Sequence, residues 1–291
     1  MIPIQLLELL ERNIDLSEKL RLDSAVFEKG FCDSREKAKT LIMAGVVYVN
    51  NQKIDKCGMT IKADDLIEVR SNPLKYVSRG GLKLEKAMKE FPISLDNLIC
   101  ADIGASTGGF TDCMLQNGAK KVYAIDVGYG QLAWKLRTDE RVVNLERTNF
   151  RYVTTEQIPD ALDFASVDVS FISLSLIVPV MHSLMNDNAK AVCLIKPQFE
   201  AGKDKVGKKG VVRDKNVHIE VVQKIISLMT EIGFSVLGLT YSPIKGPEGN
   251  IEYLIFIEKS NTPEIAPEID ALTIVNNSHQ ELDKTSKEGN I

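Results

Sequence analysis

The stretch Leu98-Ile-Cys-Ala-Asp-Ile-Gly-Ala-Ser-Thr-Gly-Gly-Phe110 joins an apolar segment to a turn that contains three glycines. Glycines between a first strand and the helix that follows it let a ligand approach the backbone closely. A dinucleotide-binding fingerprint requires Gly-x-Gly-x-x-Gly, whereas three residues separate Gly104 from the pair Gly108-Gly109. The stretch therefore indicates an α/β fold with a ligand at this turn, and its spacing disfavours a dehydrogenase.

A second signal lies one predicted strand later, where Asp126 follows the apolar pair Ala124-Ile125. A carboxylate at the end of this strand can accept hydrogen bonds from both ribose hydroxyls of a bound nucleoside. Together with the glycine turn, it indicates a nucleoside cofactor without a pyrophosphate, and S-adenosylmethionine fits that description. The alternative is that the glycines form only a structural turn between a strand and a helix.

Apolar strands alternate with helical stretches along the larger part of the chain, a pattern typical of a doubly wound α/β sheet. The predicted strands cover residues 98–103, 121–127, 142–145, 164–169 and 191–195. The predicted helices cover residues 110–116, 131–136, 174–185 and 217–232. Strands at 234–240 and 251–258 have only a loop between them, so we expect the last strand to pair antiparallel. The helical pattern around Trp134 favours a core position for that side chain.

The first part of the chain is predicted to form a separate small α+β module. Apolar residues in 33–45 have helical spacing, and short strands are expected at 46–49, 53–54 and 66–69. The periodicity stops near Pro73, which can continue neither element. The predicted organisation is an N-terminal domain over 1–72, a linker over 73–77, an α/β domain over 78–260 and an acidic tail over 261–291. We expect the tail to be largely disordered, although residues 269–275 could dock on the domain.

Composition excludes several classes of protein. With 291 residues, 44% of them hydrophobic, the chain can bury one large core and one small one. The formal net charge of -4 arises in the tail, so the balanced remainder can still concentrate bases on a nucleic-acid-binding face. Five scattered cysteines without a Cys-x-x-Cys pair indicate neither disulfides nor a zinc site, which favours the cytoplasm. Without a signal peptide or an apolar run of about 18 residues, no membrane association is expected.

Several short motifs of the sequence resemble those of a known family. They are Ser78-Arg-Gly-Gly-Leu-Lys83-Leu, the glycine stretch, Asp168-Val-Ser-Phe171, Ile195-Lys196-Pro-Gln-Phe-Glu200 and Gly249-Asn-Ile-Glu252-Tyr. Lys83, Asp168, Lys196 and Glu252 resemble the Lys-Asp-Lys-Glu tetrad of FtsJ-like ribose 2′-O-methyltransferases, and the surrounding words are similar to those of the TlyA (hemolysin A) branch. The resemblance implies a class I, Rossmann-like S-adenosylmethionine-dependent methyltransferase domain and a catalytic role for these four residues.

The chemistry of such a reaction suits the four side chains. A ribose hydroxyl is a poor nucleophile at neutral pH, so it needs a base, a positive field for the developing alkoxide, and in-line placement. Lys196 would be the base or the oxyanion stabiliser, and as a base it requires a depressed pKa, which a neighbouring Lys83 could provide. Asp168 would orient Lys196, and Glu252 would hold the lysine pair. Taken singly, each residue also has an ordinary structural explanation as a surface charge or turn former.

The predicted cofactor site extends beyond the glycine turn. By the resemblance, Asn149 stands where many relatives have an acid that contacts adenine, and an amide can make similar bonds. The predicted cofactor-binding residues are Asp102, Gly104, Ser106, Gly108, Gly109, Phe110, Asp126, Val127, Asn149 and Asp168. Methylation of a planar amine would require a proline pair after the fourth strand, and Asp168-Val-Ser-Phe171 contains none, so oxygen methylation is preferred.

Basic residues in two regions are predicted to contact RNA. The words around Arg21, Ser34-Arg35 and Gly45-Val-Val-Tyr-Val-Asn50 resemble an S4 RNA-binding domain, in which Arg35 and Lys39 would share one helix face. A glycine-containing loop over 203–213 could fold over RNA beside Lys196. The predicted RNA-binding residues are Arg21, Arg35, Lys37, Lys39, Arg79, Lys203, Lys205, Lys208, Lys209 and Arg213. The alternatives are a solvated helix face and a mobile surface loop.

These features predict methylation of a ribose 2′-hydroxyl in ribosomal RNA, and the resemblance points to cytidine. The expected partners are ribosomal RNA or ribosomal subunits, with no metal and no membrane, and the sequence does not predict an oligomeric state. Because relatives have carried a hemolysin label, one rival is a secreted pore-forming protein, which would need a membrane-active segment. A second rival is an RNA-binding protein with a silent methyltransferase domain, against which the four intact tetrad residues argue.

Overall fold

The computed structural model describes residues 19–69 and 75–288 and divides the chain into two compact units, residues 1–74 and 75–291. The division falls within the predicted linker. Residues 1–18, which belong to the predicted N-terminal domain, residues 70–74, which include the start of the linker, and residues 289–291 at the end of the tail lie outside the described part.

The first unit is the small α+β module that the sequence predicts. Its elements are β1 (Lys19–Arg21), α1 (Leu22–Glu28), α2 (Arg35–Met43), β2 (Val47–Val49), β3 (Gln52–Ile54), β4 (Thr60–Lys62) and β5 (Ile67–Val69). β2 lies between β3 and β5 and pairs antiparallel with both, while β1 pairs with β4. α2 begins after Ser34, whose hydroxyl accepts a hydrogen bond from the Lys37 amide, as expected of an N-cap. Leu22, Ile42 and Val47 are fully buried in the small core.

Asp23 is a fully buried carboxylate at the start of α1 that binds two arginines. Arg21 Nε lies 3.0 Å from Asp23 Oδ1, and Arg35 Nε lies 3.1 Å from Oδ2. Hydrogen bonds from Arg21 lower the pKa of Asp23 to about 2, against the opposing effect of burial, and Arg35 adds to the lowering. Both arginines, predicted to contact RNA, therefore also hold the module together, although each remains about half exposed.

We expect Asp23→Ala to destabilise the first unit by roughly 1 to 2 kcal/mol at pH 7, the lower figure reflecting solvent screening of the half-exposed arginines. Because the pKa of Asp23 lies below its ordinary value of 3.8, this stabilisation is present above pH 4 and is lost as the pH falls toward 2. Urea unfolding of the parent and of Asp23→Ala measures this, and the difference between their free energies of unfolding should be smaller at pH 3 than at pH 7. Asp33→Ala, which removes an exposed carboxylate, is the control and should leave stability nearly unchanged.

The second unit is built on a seven-stranded mixed sheet, as predicted. Its strands are β6 (Ile99–Ile103), β7 (Lys121–Ile125), β8 (Val142–Leu145), β9 (Leu162–Val167), β10 (Met185–Ile195), β11 (Phe234–Tyr241) and β12 (Tyr253–Lys259). The sheet order is β11-β12-β10-β9-β6-β7-β8. Neighbours from β10 to β8 pair parallel, and β12 pairs antiparallel with both β10 and β11, which confirms the prediction for the last strand.

Helices cover both faces of this sheet. They are α3 (Gly81–Glu90), α4 (Gly109–Gln116), α5 (Trp134–Arg137), α6 (Val178–Leu184), α7 (Pro197–Glu200), α8 (Lys215–Ile232) and α9 (Ala271–Glu288). Alternate residues of β7 show the two-sided burial: Val122 and Ala124 belong to one apolar core, and Tyr123 and Ile125 belong to the other. A parallel sheet buried on both faces explains why its strands are continuously apolar in the sequence.

The acidic tail differs from the expectation of disorder, because most of it forms the helix α9. Ala271, Val275 and Leu282 are buried in the core that also contains α8 and β11. The spacing of these residues places them on one face of a helix, so the segment buries enough apolar surface to fold. The low aromatic content and the acidic charge of the tail favoured a prediction of disorder over one of an amphipathic helix.

The prediction that Trp134 lies in the core is wrong, because its side chain is 77% exposed. The helix there is only four residues long, and Leu136 is the residue that it buries. A single turn presents one narrow face to the core, so the neighbouring positions point to solvent.

Candidate active site

The carboxyl ends of four parallel strands meet at one edge of the large sheet. Gly104 follows β6, Asp126 follows β7, Asp168 follows β9 and Lys196 follows β10. Hydrogen bonds between neighbouring strand ends fix this edge, since the Gly104 amide donates to Ile125 O at 2.9 Å and the Asp168 amide donates to Ile103 O at 2.9 Å. The topology of a parallel sheet therefore collects residues that are far apart in the sequence.

Gly104 allows two strand ends to lie against each other. Its φ is +89°, and a Cβ added there would lie 2.4 Å from the carbonyl oxygen of Asp168. Gly108 also has a positive φ, but a Cβ on it would collide with Leu136. The first glycine thus shapes the floor of the site, whereas Gly108 makes room for packing of α5 against the turn.

Asp102 holds the glycine turn from inside the domain. Its carboxylate is almost completely buried and accepts hydrogen bonds from Thr111 N at 2.8 Å and Thr111 Oγ1 at 2.6 Å. Burial raises the pKa of Asp102 to about 7, although the bonds from Thr111 oppose that rise. The side chain therefore ties the end of β6 to the first turn of α4.

A cavity of about 350 Å³, named the cofactor cavity here, lies over the ends of β6 and β7. Asp126 lines it, and its two carboxylate oxygens accept hydrogen bonds from Ser106 N at 2.8 Å and Gly128 N at 2.6 Å. Val127 and Phe150 contribute apolar walls. Asn149 also lines the cavity, and its Oδ1 accepts a hydrogen bond from Arg151 N at 3.2 Å.

A second cavity of about 250 Å³, the inner cavity, adjoins the first and shares Gly104, Ser106 and Asp168 with it. All the predicted cofactor-binding residues line one cavity or the other, with the exception of Gly108. Lys83, Lys196 and Glu252 line the inner cavity as well. The predicted cofactor residues and the predicted tetrad are therefore neighbours.

The four residues of the predicted tetrad are in direct contact with one another. Lys83 Nζ donates to Glu252 Oε2 at 2.7 Å and to Asp168 Oδ2 at 3.3 Å, while Lys196 Nζ lies 2.5 Å from Asp168 Oδ1. Lys83 belongs to α3, and Glu252 immediately precedes β12. The carboxylate of Asp168 thus lies between the side chains of Lys83 and Lys196.

Burial makes the charges of this tetrad interact strongly. Lys83 is 8% exposed, Lys196 is 7% exposed and Glu252 is 1% exposed. Burial by itself lowers the pKa of Lys83, but the charges of Asp168 and Glu252 outweigh it and raise that pKa above its ordinary value. For Asp168, the charges of the two lysines outweigh burial and lower the pKa. Lys83 and Asp168 are therefore both ionised at neutral pH.

Two residues that support the site were not singled out from the sequence. Ser170 Oγ accepts a hydrogen bond from Lys196 Nζ at 3.0 Å, and Ser170 lines both cavities. Glu200 is buried and accepts hydrogen bonds from Leu174 N and Ser173 Oγ, each at 2.7 Å, which holds the loop after β9. Both residues belong to the motifs that resemble the known family, and that resemblance could have pointed to them.

A third cavity of about 450 Å³, the outer cavity, shares Lys196 and Glu252 with the inner cavity but is lined by no residue of the glycine turn. The predicted RNA-binding loop borders it through Val206 and Gly210. Asn250 fixes this loop, because its Oδ1 accepts from Val212 N at 3.0 Å and its Nδ2 donates to Gly210 O at 2.9 Å.

The predicted RNA-binding side chains are solvent-accessible, and several have acidic neighbours. In α2, Lys37 pairs with Asp33 at 2.9 Å and Lys39 pairs with Glu36 at 2.8 Å. In the second unit, Lys205 pairs with Glu220. The exposed members of the predicted set there are Arg79, Lys203, Lys205, Lys208, Lys209 and Arg213.

The residues that the structure describes contain neither a membrane-spanning helix nor a cluster of metal-binding side chains. Over 19–69 and 75–288, no helix is both long enough and apolar enough to span a bilayer. Within those same ranges, no three or more His, Cys, Asp or Glu side chains are grouped so that they could hold a metal ion.

Comparison with known families agrees with this geometry. Residues 76–259 match the model of the FtsJ-like methyltransferases, and residues 20–67 match that of the S4 domain. Hemolysin A of Brachyspira hyodysenteriae is 50% identical over 236 residues, which cover 81% of this chain and 98% of that protein.

Two more relatives cover most of the chain. The 16S/23S rRNA (cytidine-2′-O)-methyltransferase TlyA of Mycobacterium tuberculosis is 40% identical over 83% of this chain and 91% of that protein. A solved structure from Streptococcus thermophilus with a provisional hemolysin label is 45% identical, with a TM-score of 0.75 over 92% of this chain and 98% of that one. The cofactor of these methyltransferases is S-adenosylmethionine. With its tetrad, its glycine turn and these relatives, the chain belongs to the FtsJ-like methyltransferase family and carries an S4 domain before its catalytic domain.

Proposed function

We propose that this protein methylates the 2′-hydroxyl of a cytidine in ribosomal RNA, using Lys83, Asp168, Lys196 and Glu252 as its catalytic tetrad. The observation that carries the proposal is the mutual contact of two buried ammonium groups and two carboxylates beside the cofactor cavity. Relatives named TlyA in Mycobacterium tuberculosis and Campylobacter jejuni are rRNA cytidine 2′-O-methyltransferases by name, which supports the nucleotide and the substrate class. A ribosomal RNA substrate supports a location in the cytoplasm.

The residues of the cofactor cavity fit S-adenosylmethionine. A carboxylate at Asp126 suits the ribose hydroxyls, and the apolar walls at Val127 and Phe150 suit an adenine ring. Because Gly104 has no Cβ, the end of β6 lies directly against Asp168, at the border of the cofactor cavity and the inner cavity. When bound there, the cofactor supplies an electrophilic sulfonium methyl group.

The two lysines of the tetrad have different roles. Of the two ammonium groups, Lys196 lines both the inner and the outer cavity, so it is the one placed to contact a hydroxyl that enters from the RNA side. Asp168 and Ser170 orient it. Lys83 stays charged because its pKa is raised. It forms ion pairs with both Asp168 and Glu252, which fixes the position of the Asp168 carboxylate. Positive charge aimed at a developing alkoxide in a dry site is an effective form of catalysis.

The test is methyl incorporation from tritiated S-adenosylmethionine into purified ribosomal subunits and into naked ribosomal RNA, followed by mapping of the modified nucleotide. The proposal predicts one or a few labelled cytidines that carry the methyl on the ribose. Label on a nucleobase, or no incorporation by a protein that binds the cofactor, would contradict it.

Asp126→Ala is expected to weaken S-adenosylmethionine binding by about 10- to 100-fold, because hydrogen bonds to a charged carboxylate contribute roughly 1.5 to 3 kcal/mol. The substitution also removes the acceptor of Ser106 N and Gly128 N, which loosens the turn. Isothermal titration calorimetry measures the effect. Asp187→Ala, at an exposed carboxylate, is the control and should bind the cofactor as the parent does.

Lys37→Ala combined with Lys39→Ala is expected to weaken RNA binding and to reduce the slope of log affinity against log salt by about one to two. Lys37 pairs with the exposed acid Asp33 just before α2, and Lys39 pairs with the exposed acid Glu36 within it. Loss of the two lysines should therefore cost little stability, whereas Arg35 is needed by the buried carboxylate of Asp23. Filter binding over a range of salt concentrations measures the slope, and Lys89→Ala serves as the control. A slope equal to that of the parent would remove this helix face from the interface.

A further inference from the structure

Both polar groups of the buried Asn250 side chain bind the backbone of one loop. Asn250 is 1% exposed and lies two positions before Glu252 of the tetrad. Its Oδ1 accepts a hydrogen bond from Val212 N at 3.0 Å, and its Nδ2 donates to Gly210 O at 2.9 Å. The carbonyl oxygen of Asn250 accepts a hydrogen bond from Gly246 N at 2.9 Å, which fixes the backbone that carries the side chain.

A histidine holds the same end of the loop. His218 in α8 is fully buried, and its Nε2 donates a hydrogen bond to Val212 O at 2.9 Å. The peptide groups of Val212 and Gly210 therefore make three hydrogen bonds to two buried side chains, Asn250 and His218. Hydrogen bonds between buried groups hold a segment in one conformation, because breaking them leaves polar atoms without partners.

The loop held in this way, residues 203–213, contains five bases and one acid and is named the basic loop. Lys205 pairs with Glu220 of α8. Within 19–69 and 75–288, no acidic side chain forms an ion pair with the other four bases, which are all exposed: Lys203, Lys208, Lys209 and Arg213. Exposed bases without acidic partners suit the phosphates of RNA, since each contact releases a bound counterion.

The basic loop lies beside the tetrad. Its residues Val206 and Gly210 line the outer cavity together with Lys196. Lys203 lines an adjoining cavity of about 700 Å³, which shares Val206 with the outer cavity. An RNA bound at Lys196 therefore lies next to the basic loop.

We infer that Asn250 is a positioning residue for RNA binding, because it holds the basic loop in the conformation that presents Lys203, Lys208 and Lys209 to the phosphates of the substrate. The inference rests on the proposed function, from which it takes RNA as the ligand. A loop that is fixed before binding loses little conformational entropy when RNA binds. A loop released from Asn250 must lose that entropy on binding, so its lysines contact fewer phosphates at a given RNA concentration.

The test is a double-mutant cycle on the full chain. The loop variant carries Lys203→Ala, Lys208→Ala and Lys209→Ala together, and filter binding at several salt concentrations measures the Kd for purified ribosomal RNA. Asn250→Ala alone should raise the Kd about tenfold and lower the slope of log affinity against log salt by about one. Added to the loop variant, Asn250→Ala should change the Kd by less than about twofold, since a loop without these lysines gains nothing from its position.

Asn186→Ala is the matched control and should bind RNA as the parent does. This asparagine also donates a side-chain hydrogen bond, to Asp163, but it lies near the start of β10, whereas Lys196 follows the end of that strand. A further tenfold loss when Asn250→Ala is added to the loop variant would overturn the inference, because the effect would then arise outside the basic loop. So would an Asn250→Ala protein with the salt slope of the parent.

Hydrogen exchange tests the same contact in the parent. The Val212 amide should exchange at least about 100-fold more slowly than an unstructured amide, and unprotected exchange would overturn the inference. Cofactor affinity reports whether each variant is folded, and Asn250→Ser, too short to bridge Val212 N and Gly210 O, replaces Asn250→Ala in the cycle if that protein does not fold. A parent that binds RNA without methylating a ribose would contradict the proposed function and leave the binding cycle intact.

Discussion

Lys196→Ala is expected to lower the rate of methyl transfer by about a thousandfold or more, while S-adenosylmethionine affinity stays nearly unchanged. Loss of one group that stabilises a developing oxyanion or transfers a proton costs about 10² to 10⁴ in rate. Lys196 lines the inner and outer cavities but not the cofactor cavity, which is why binding should be spared. Single-turnover incorporation of tritiated methyl gives the rate, and calorimetry gives the affinity.

Lys190→Ala is the matched control, because this lysine belongs to the same strand, β10, and pairs with Glu258 away from the site. Lys196→Arg and the pH dependence of the parent then separate the two roles left open for Lys196. An arginine keeps the positive charge but cannot act as a base, so partial activity in this variant indicates electrostatic stabilisation. A Lys196→Ala protein with the rate of the parent would remove Lys196 from the mechanism.

Glu252→Ala is expected to destabilise the catalytic unit by about 3 kcal/mol and to reduce activity strongly. The substitution leaves the buried ammonium of Lys83 with only Asp168 as a partner, and an uncompensated buried charge typically costs about 3 to 5 kcal/mol. Asp168 would then move toward Lys83 and away from Lys196. Thermal unfolding of the full chain and single-turnover kinetics measure the two effects.

A double variant distinguishes charge from shape in that pair. Lys83→Met together with Glu252→Gln removes both charges while keeping side chains of similar length, so it should recover much of the stability lost in Glu252→Ala. It should stay inactive, because Asp168 loses one of the two ammonium groups that hold it. Glu264→Ala, at an exposed acid, is the control for stability. A Glu252→Ala protein as stable as the parent would show that the ion pair between Lys83 and Glu252 does not contribute to stability.

Local patterns in the sequence were sufficient to predict most of the fold. Apolar runs that alternate with helical stretches indicated the order of the elements in the α/β domain. The lack of a helical stretch between the last two strands indicated that β12 pairs antiparallel. The same approach failed at Trp134 and in the tail, since a four-residue helix and a sparse apolar stripe give weak periodicity. It also missed Ser170 and Glu200, whose importance comes from the residues that they contact rather than from their spacing in the sequence.

The arginines of the first unit show the same limit. The sequence predicted that Arg21 and Arg35 contact RNA, and both side chains are exposed enough to do so. Nothing in the spacing of the chain revealed that they share the buried carboxylate of Asp23, because that contact joins β1, α1 and α2. Charge is visible in a sequence, but the partner that neutralises it is not.

By itself, the sequence determined most of the elements, their order and the glycine turn, and its resemblance to a known family predicted the four residues of the tetrad. Tertiary structure decided which groups touch: Lys83 and Glu252, 169 positions apart, come within 2.7 Å, and Asp168 separates the two lysines. The physical reason is the separation along the chain over which each kind of interaction acts. Periodicity and turn chemistry act over a few residues, whereas ion pairs and cavities depend on how distant strands are ordered in the sheet, to within tenths of an ångström.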